Sequence, residues 1–303
     1  MNISDTSKGY LLTLVAVISV SNVYIFSKAA LKEVSLPQFG MYWFAFGLLW
    51  ILLFAYYRKA FSLLKDLTKK EYLILGALGI FEVVGTYFFF KAIFTIPNPT
   101  IVSFIGNLGP AFVIILSVII LSERFNKLEL LGVIFAMLGA FIISYKSKAG
   151  INEMFIDGAQ FVLLSSLLGA VNMVIIKKNI KKITPIILVI NRTSFLLIFS
   201  VIAMLVVQES FIVPKVALKS IFIGSILGPF LTVIAGYLAL QYIPLSRKAI
   251  IGSTKGIFVL IGSYLYFGKF PETIALIGGL ITIIGILLIT FGKIKLHKSK
   301  YIK

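Results

Sequence analysis

A repeat of glycines 146 positions apart constrains the fold of this chain more than any other feature of its sequence. Three of the four glycines between residues 103 and 145 recur at that offset, pairing Gly106 with Gly252, Gly132 with Gly278 and Gly139 with Gly285. The chain also contains ten apolar segments, so the offset divides it into two copies of five. Because five is odd, the second copy must enter a membrane in the opposite orientation. The sequence therefore predicts an all-α membrane protein whose ten transmembrane helices form two inverted five-helix repeats.

Composition independently supports the membrane class. The chain is 59% hydrophobic, its mean hydropathy is +1.05, and only 13% of its residues are charged, about half the share of a soluble globular protein. The two repeats are predicted to occupy residues 1–148 and 149–303. Segments long enough to cross about 30 Å of hydrocarbon are predicted at 10–31, 37–57, 72–93, 99–121, 128–145, 157–177, 185–207, 219–241, 246–267 and 272–292.

The net charge of +18 does not indicate nucleic-acid binding, because its distribution follows the predicted membrane topology. With a cytoplasmic amino terminus, nineteen basic residues lie on the inner side and seven on the outer side. Such a bias is typical of multi-pass membrane proteins with the positive side inside. We therefore expect a cell-membrane protein with both termini in the cytoplasm, whose partners are the lipid bilayer and a small-molecule substrate.

Polar side chains are concentrated in the predicted spans one, three, four, six, eight and nine, which we expect to enclose a central cavity. A charge at mid-membrane costs roughly 2.5–3.5 kcal/mol or more, so it should face water or a partner. The substrate-binding candidates chosen on this basis are Asn22, Glu82, Asn107, Asn172, Ser253 and Lys255.

Glu82 is the only acidic side chain deep in a predicted span. Burial favours the neutral form of a carboxyl group, so Glu82 is the candidate for coupling transport to a proton. The alternative is a permanent ion pair with a lysine of a neighbouring helix. Lys255 is assigned either to the substrate or to Glu82, whereas Lys28, Lys91 and Arg192 lie nearer span ends and are expected to extend towards the membrane surface.

The remaining features are interpreted as structural. The three asparagines either bind a solute or join helices, and the mid-span prolines Pro110 and Pro229 are expected to kink their helices. Glycines spaced seven apart on the fifth and tenth spans, beginning at Gly132 and Gly278, predict close helix packing. These two spans are therefore assigned to a scaffold or to self-association as a homodimer.

Several short segments resemble a known family. They are Gly106-Asn-Leu-Gly-Pro110, Leu121-Ser-Glu-Arg-Phe125 with Gly132 and Gly139 after it, and in the second copy Gly252-Ser-Thr-Lys-Gly256 and Tyr266-Phe-Gly-Lys-Phe270. Together with the ten spans, they are similar to EamA-type transporters of the drug/metabolite transporter superfamily. The chain departs from that pattern where Gly256 stands opposite Pro110, where Lys269 stands opposite Glu123, and where Phe44 stands opposite the family-like Arg192.

The resemblance implies a secondary carrier that moves a small organic metabolite by rocking the two halves around a central site. Four basic side chains within or near the spans against one acid favour an anionic or zwitterionic solute. An amino acid would place its carboxylate near Lys255 and its ammonium near Glu82. The alternatives are a carrier of an uncharged vitamin, nucleoside or drug-like compound, or a channel-like facilitator.

Enzymatic function is not expected. The single histidine, His297, lies in the basic tail, and cysteine is absent. The sequence also lacks a hydrolase nucleophile motif with a partner histidine and lacks clustered acidic metal ligands. We therefore predict no catalytic residue, no metal site and no cofactor.

Overall fold

The computed structural model describes residues 4–64, 67–121, 127–144, 156–243, 245, 248, 251–252 and 254–300. Within these residues the secondary structure is helical throughout, with no β-strand. The α-helices are α1 (Asp5–Ala30), α2 (Leu36–Tyr57), α3 (Lys69–Thr95), α4 (Pro99–Ile105), α5 (Leu108–Leu121), α6 (Lys127–Ser144), α7 (Ala159–Asn179), α8 (Pro185–Val207), α9 (Lys215–Ser225), α10 (Val233–Tyr242), α11 (Lys255–Phe267) and α12 (Thr273–Lys300). A short 3₁₀ helix, Ala60–Leu64, follows α2.

Six helical segments of the described chain are long and apolar enough to cross a membrane. They are α1, α2, α3, α7, α8 and the continuous stretch Lys215–Tyr242, and they coincide with predicted spans one, two, three, six, seven and eight. Shorter apolar helices lie at Leu130–Gly139, Lys255–Phe267 and Thr273–Gly285. The protein is therefore an all-helical membrane protein, and the count of ten crossings stays a prediction.

The fourth predicted span consists of two helices. α4 ends at Ile105 and α5 begins at Leu108, and the Gly106 N–H closes the first helix by donating to the Val102 carbonyl at 2.9 Å. Pro110 then lies in the first turn of α5, where its missing N–H removes no helical hydrogen bond. The break therefore precedes the proline on which the sequence prediction was based.

The eighth span is also irregular, at the second predicted proline. Between α9 and α10, residues Ile226–Thr232 form a π-helical segment that contains Pro229. The Thr232 hydroxyl donates to the Leu227 carbonyl at 2.7 Å, which satisfies a carbonyl group in this segment. A proline lacks the backbone donor, and a locally wider helical turn accommodates such a residue inside a membrane.

Helices α6 and α12 pack on each other along the glycines that define the sequence repeat. A Cβ atom at Gly139 would overlap the side chain of Thr282 and the carbonyl of Gly278, and one at Gly285 would overlap the backbone of Ala136 and Gly132. The predicted close packing is confirmed, because only glycine permits this approach. The stripe is buried between two helices of one chain, so it does not itself support the predicted homodimer, which stays a prediction.

The helices that pack on α7 and on α1 form two groups. The first group contains α3 and α5, which both pack on α7. The second group contains α9, α10 and α11, which all pack on α1. Helices α2 and α8 pack on each other, with α8 also contacting α3 and α2 also contacting α9.

Each group combines helices from both predicted repeats. If each span is replaced by its counterpart in the other repeat, the contact of α3 with α7 becomes the contact of the eighth span with α1. In the same way, the contact of α5 with α7 becomes the contact of α11 with α1. The pairs α2–α8 and α6–α12 are converted into themselves. The two halves of the sequence are therefore interleaved, so residues 1–148 and 149–303 do not pack as two separate bodies.

Candidate functional site

A cavity of about 320 Å³ lies between the two groups of helices. It is lined by α1, α3, the break between α4 and α5, α7, and the ninth predicted span. These are five of the six spans predicted to enclose a cavity, and the eighth span contributes none of the described lining residues. A volume of this size suits a small metabolite.

Two lysines of the ninth span line this cavity. The Lys255 Nζ donates to the Gly106 carbonyl at 3.2 Å, at the helix break, and the Lys255 carbonyl accepts from the Ser21 hydroxyl at 3.3 Å. The Lys248 Nζ lies 3.8 Å from the Met173 sulfur, which is a weak acceptor. Both ammonium groups therefore lie at the cavity wall with few strong acceptors from the described residues.

Lys248 was not among the site residues predicted from the sequence, because it was assigned to the cytoplasmic basic residues. A signal was nevertheless present, because Lys248 precedes Lys255 by seven positions. In a helix, seven residues make about two turns and about 10 Å of rise, and they return to the same face. The structure has both lysines on the wall of the same cavity.

The rest of the cavity wall is neutral. Ser165 and Ser166 of α7 supply hydroxyl groups, and the ring of Tyr24 packs edge-on against Phe89 with 5.1 Å between ring centroids. The lining residues that the structure describes include neither aspartate nor glutamate. The cavity therefore combines two ammonium groups, several hydroxyl donors and an aromatic pair, which is a suitable arrangement for an organic anion.

Glu82 lies outside this cavity lining, in a charged cluster that joins three helices. The Arg192 Nε of α8 donates to Glu82 Oε2 at 2.8 Å, and its Nη2 donates to Thr86 Oγ1 at 3.2 Å. The Tyr237 hydroxyl of α10 donates to Glu82 Oε1 at 3.3 Å. The ion-paired side chains of Arg192 and Glu82 are 17% and 15% exposed, so the pair is largely shielded from solvent.

These contacts correct three predictions from the sequence. The partner of Glu82 is Arg192 and not Lys255, whose ammonium instead contacts a backbone carbonyl. Arg192 does not extend to the membrane surface, because its guanidinium lies against Glu82 and Thr86. Lys28 does not extend to the surface either, since three backbone carbonyls accept from its Nζ.

The other predicted site residues are dispersed. The Asn22 amide donates to the Ile18 carbonyl of its own helix at 2.9 Å. Asn107 is fully buried at the break between α4 and α5. Asn172 is buried on α7, and its Oδ1 has no hydrogen-bond partner among the described residues. Ser253 lies outside the described residues, so of the six candidates only Lys255 lines the described cavity.

Comparison with protein families agrees with the repeat and the helical architecture. Two stretches of the chain, residues 7–145 and 157–291, each match the EamA-like transporter family. The two matches together cover most of the sequence and separate the chain where the repeat predicts.

Individual relatives support the same class. An uncharacterized transporter of Archaeoglobus fulgidus is 34% identical over 127 residues, which is 42% of this chain and 42% of that protein. The uncharacterized transporter YyaM of Bacillus subtilis is 26% identical over 228 residues, covering 72% of each chain. One crystal structure superimposes with a TM-score of 0.69 at 14% identity, over 96% of this chain and 99% of its own, which supports the fold alone.

We predict that Glu82 and Arg192 stabilise the fold as a pair. Glu82→Gln and Arg192→Gln should each lower the stability of the purified protein, because each leaves one shielded charge without its partner. The double variant should recover about 1–3 kcal/mol relative to the sum of the single effects. Thermal unfolding in detergent measures all three. The exposed Asp5–Lys8 pair provides the control through Asp5→Asn, and strictly additive effects at 82 and 192 would contradict the pairing.

Proposed function

Since the chain belongs to the EamA-like transporter family, we propose that it is a secondary carrier of a small organic anion. Family membership supports transport, and the cavity supports the charge of the solute. The observation that carries this proposal is the presence of Lys248 and Lys255 on one cavity wall whose described lining contains no acidic side chain.

The two ammonium groups at the cavity wall are energetically costly without an anion. An unpaired charge inside a membrane is costly, and two like charges on one wall also repel each other. An anionic solute between them relieves both costs. Two anionic groups match the two lysines better than one, so we infer that a dianion such as a dicarboxylate is favoured over a monoanion.

A dicarboxylate is a narrower class of solute than the anionic or zwitterionic solute predicted from the sequence. An amino acid was expected to place its ammonium near Glu82. That carboxylate is held by Arg192 and Tyr237 instead, and it is not among the described lining residues of the cavity. A zwitterion therefore lacks the acidic partner that was proposed for its positive end, which favours an anion.

We propose that transport proceeds by alternating access between the two interleaved groups of helices. The cavity lies between the group around α7 and the group around α1. Relative movement of these groups would expose it to either side of the membrane. The pattern of helix contacts is unchanged when the two repeats are exchanged, which supports ten crossings in two inverted repeats. Because the repeats are interleaved, the moving bodies are these two groups of helices and not residues 1–148 and 149–303.

Proton coupling through Glu82 stays a prediction with an added condition. The Arg192 guanidinium donates to Glu82 Oε2 at 2.8 Å and the Tyr237 hydroxyl donates to Oε1 at 3.3 Å, so both carboxylate oxygens already accept hydrogen bonds. Coupling at this residue requires the pair to open during the cycle.

We predict that reconstituted protein transports dicarboxylates and that both lysines contribute. Lys255→Met and Lys248→Met should each raise KM about ten- to hundredfold, which corresponds to the loss of one charge-assisted contact. Uptake into proteoliposomes measures this effect, and counterflow distinguishes a carrier from a channel. Lys269→Met, which changes an exposed lysine, is the matched control. Selective competition by quaternary ammonium compounds in place of organic acids would contradict the charge argument.

We also predict that both termini lie in the cytoplasm, on the basis of the nineteen-to-seven basic asymmetry, which remains when Lys248 at the cavity wall and the buried Lys28 are left out. The natural chain has no cysteine, so single cysteines at Lys8, Lys148 and Lys300 act as reporters. An impermeant thiol reagent added to intact cells should label only the cysteine at position 148. Labelling at position 8 or 300 would refute the orientation.

A further inference from the structure

The buried ammonium of Lys28 caps the carboxyl end of a neighbouring helix. Lys28 lies in the last turn of α1 and is 7% exposed. Its Nζ donates to the carbonyls of Ile93, Phe94 and Ile96 at 2.7, 3.1 and 2.8 Å. These carbonyls lie at the carboxyl end of α3, which ends at Thr95, where a helix leaves acceptors unsatisfied and carries partial negative charge.

Lys177 makes the equivalent contact in the second half of the chain. It lies in the last turn of α7, and its Nζ donates to the carbonyls of Leu240 and Ile243 at 2.7 and 3.4 Å. These carbonyls lie at the carboxyl end of α10. Lys177 follows Lys28 by 149 positions, and Leu240 and Ile243 follow Ile93 and Ile96 by 147 each. These offsets lie within three residues of the 146-residue repeat, so the lysine cap recurs at nearly the same place in each repeat.

Both caps join the two groups of helices that border the cavity. Lys28 connects α1 of the second group to α3 of the first, and Lys177 connects α7 of the first group to α10 of the second. In inverted repeats, equivalent positions lie on opposite sides of the membrane. One cap therefore lies at the end where α1 and α3 terminate, and the other lies at the end where α7 and α10 terminate.

Each lysine cap joins its two helices only near their ends. α1 packs mainly on the eighth span and α11, whereas its contact with α3 is minor, and α7 packs mainly on α3 and α5. Each lysine therefore holds together two helices that otherwise belong to different groups. Contacts of this kind are the ones that must break when one end of the interface opens and the other stays closed.

We propose that Lys28 and Lys177 are the two gate locks of the transport cycle, one on each side of the membrane. Release of the Lys28 cap opens the cavity towards the side where α1 ends, and release of the Lys177 cap opens it towards the opposite side. The inference rests on the proposed carrier function but not on the identity of its solute. Each lysine acts by holding helix ends in position, and neither lines the described cavity.

The decisive experiment measures access to the cavity from each side. Ser166→Cys places a single thiol in the cavity wall of this cysteine-free chain. An impermeant thiol reagent is applied to intact cells and, separately, to inside-out vesicles. Under the proposed orientation, Lys28→Met should raise the labelling rate from outside about fivefold or more and lower it from inside. Lys177→Met should shift both rates in the opposite direction.

Matched controls change neighbouring exposed lysines. Lys32→Met tests the charge at the end of α1, and Lys178→Met tests the residue beside Lys177; neither should bias access. If Lys28→Met fails to fold, Lys28→Gln retains neutral donors to the carbonyls and should give a smaller shift of the same sign. Equal shifts for the two lysine variants, or unchanged access in both, would overturn the proposal.

The labelling result is independent of the transported solute. Opposite shifts together with no dicarboxylate transport would support the locks and refute the proposed substrate class. Dicarboxylate transport with identical access in all lysine variants would support the substrate class and refute the locks. The two proposals therefore fail separately.

Discussion

A charged side chain inside a membrane needs a partner, because hydrocarbon provides no hydrogen bonds and little dielectric screening. The chain meets this requirement in three ways. Glu82 and Arg192 neutralise each other between α3 and α8. Lys28 and Lys177 donate to carbonyls at helix ends. Lys248 and Lys255 face a cavity instead, which provides space for an anion from outside the protein.

The irregular helices follow from the same constraint. The break between α4 and α5 positions the Gly106 carbonyl to accept from Lys255 at the cavity wall. Non-helical backbone at membrane depth is tolerated where it is buried in protein or lines a cavity. The break thus both disrupts the fourth span and shapes the site, while α6 and α12 pack closely on each other along their glycines.

The sequence predicted features that depend on local pattern. Hydropathy located the long helices, and the glycines spaced seven apart predicted close packing on the fifth and tenth spans, because each of these signals lies within one segment. Glu82 was recognised as unusual for the same reason. Its partner was not found, since Arg192 is 110 positions away and only tertiary packing brings α8 beside α3.

The roles of Lys28, Lys177 and Lys248 show a second limit of prediction from the sequence. Lys28 and Lys177 lie near helix ends, where a lysine ordinarily extends to the membrane surface. Only the positions of α3 and α10 make carbonyl groups available to them. Lys248 lies at the start of the predicted ninth span, where it was counted as cytoplasmic, and only the packing of that span beside α7 places it on the cavity wall. Repeat-equivalent lysines were visible in the sequence, but their role depends on the helices beside them.

The central claim is that the two cavity lysines bind an anion, and thermal unfolding of purified protein in a graded series of linear dicarboxylates tests it most directly. A ligand at a hundred times its Kd stabilises the state that binds it by about 2.7 kcal/mol. The account predicts such stabilisation in the natural chain and its loss when Lys248→Met and Lys255→Met are combined. Equal stabilisation of the double variant, or stabilisation by organic cations alone, would contradict it.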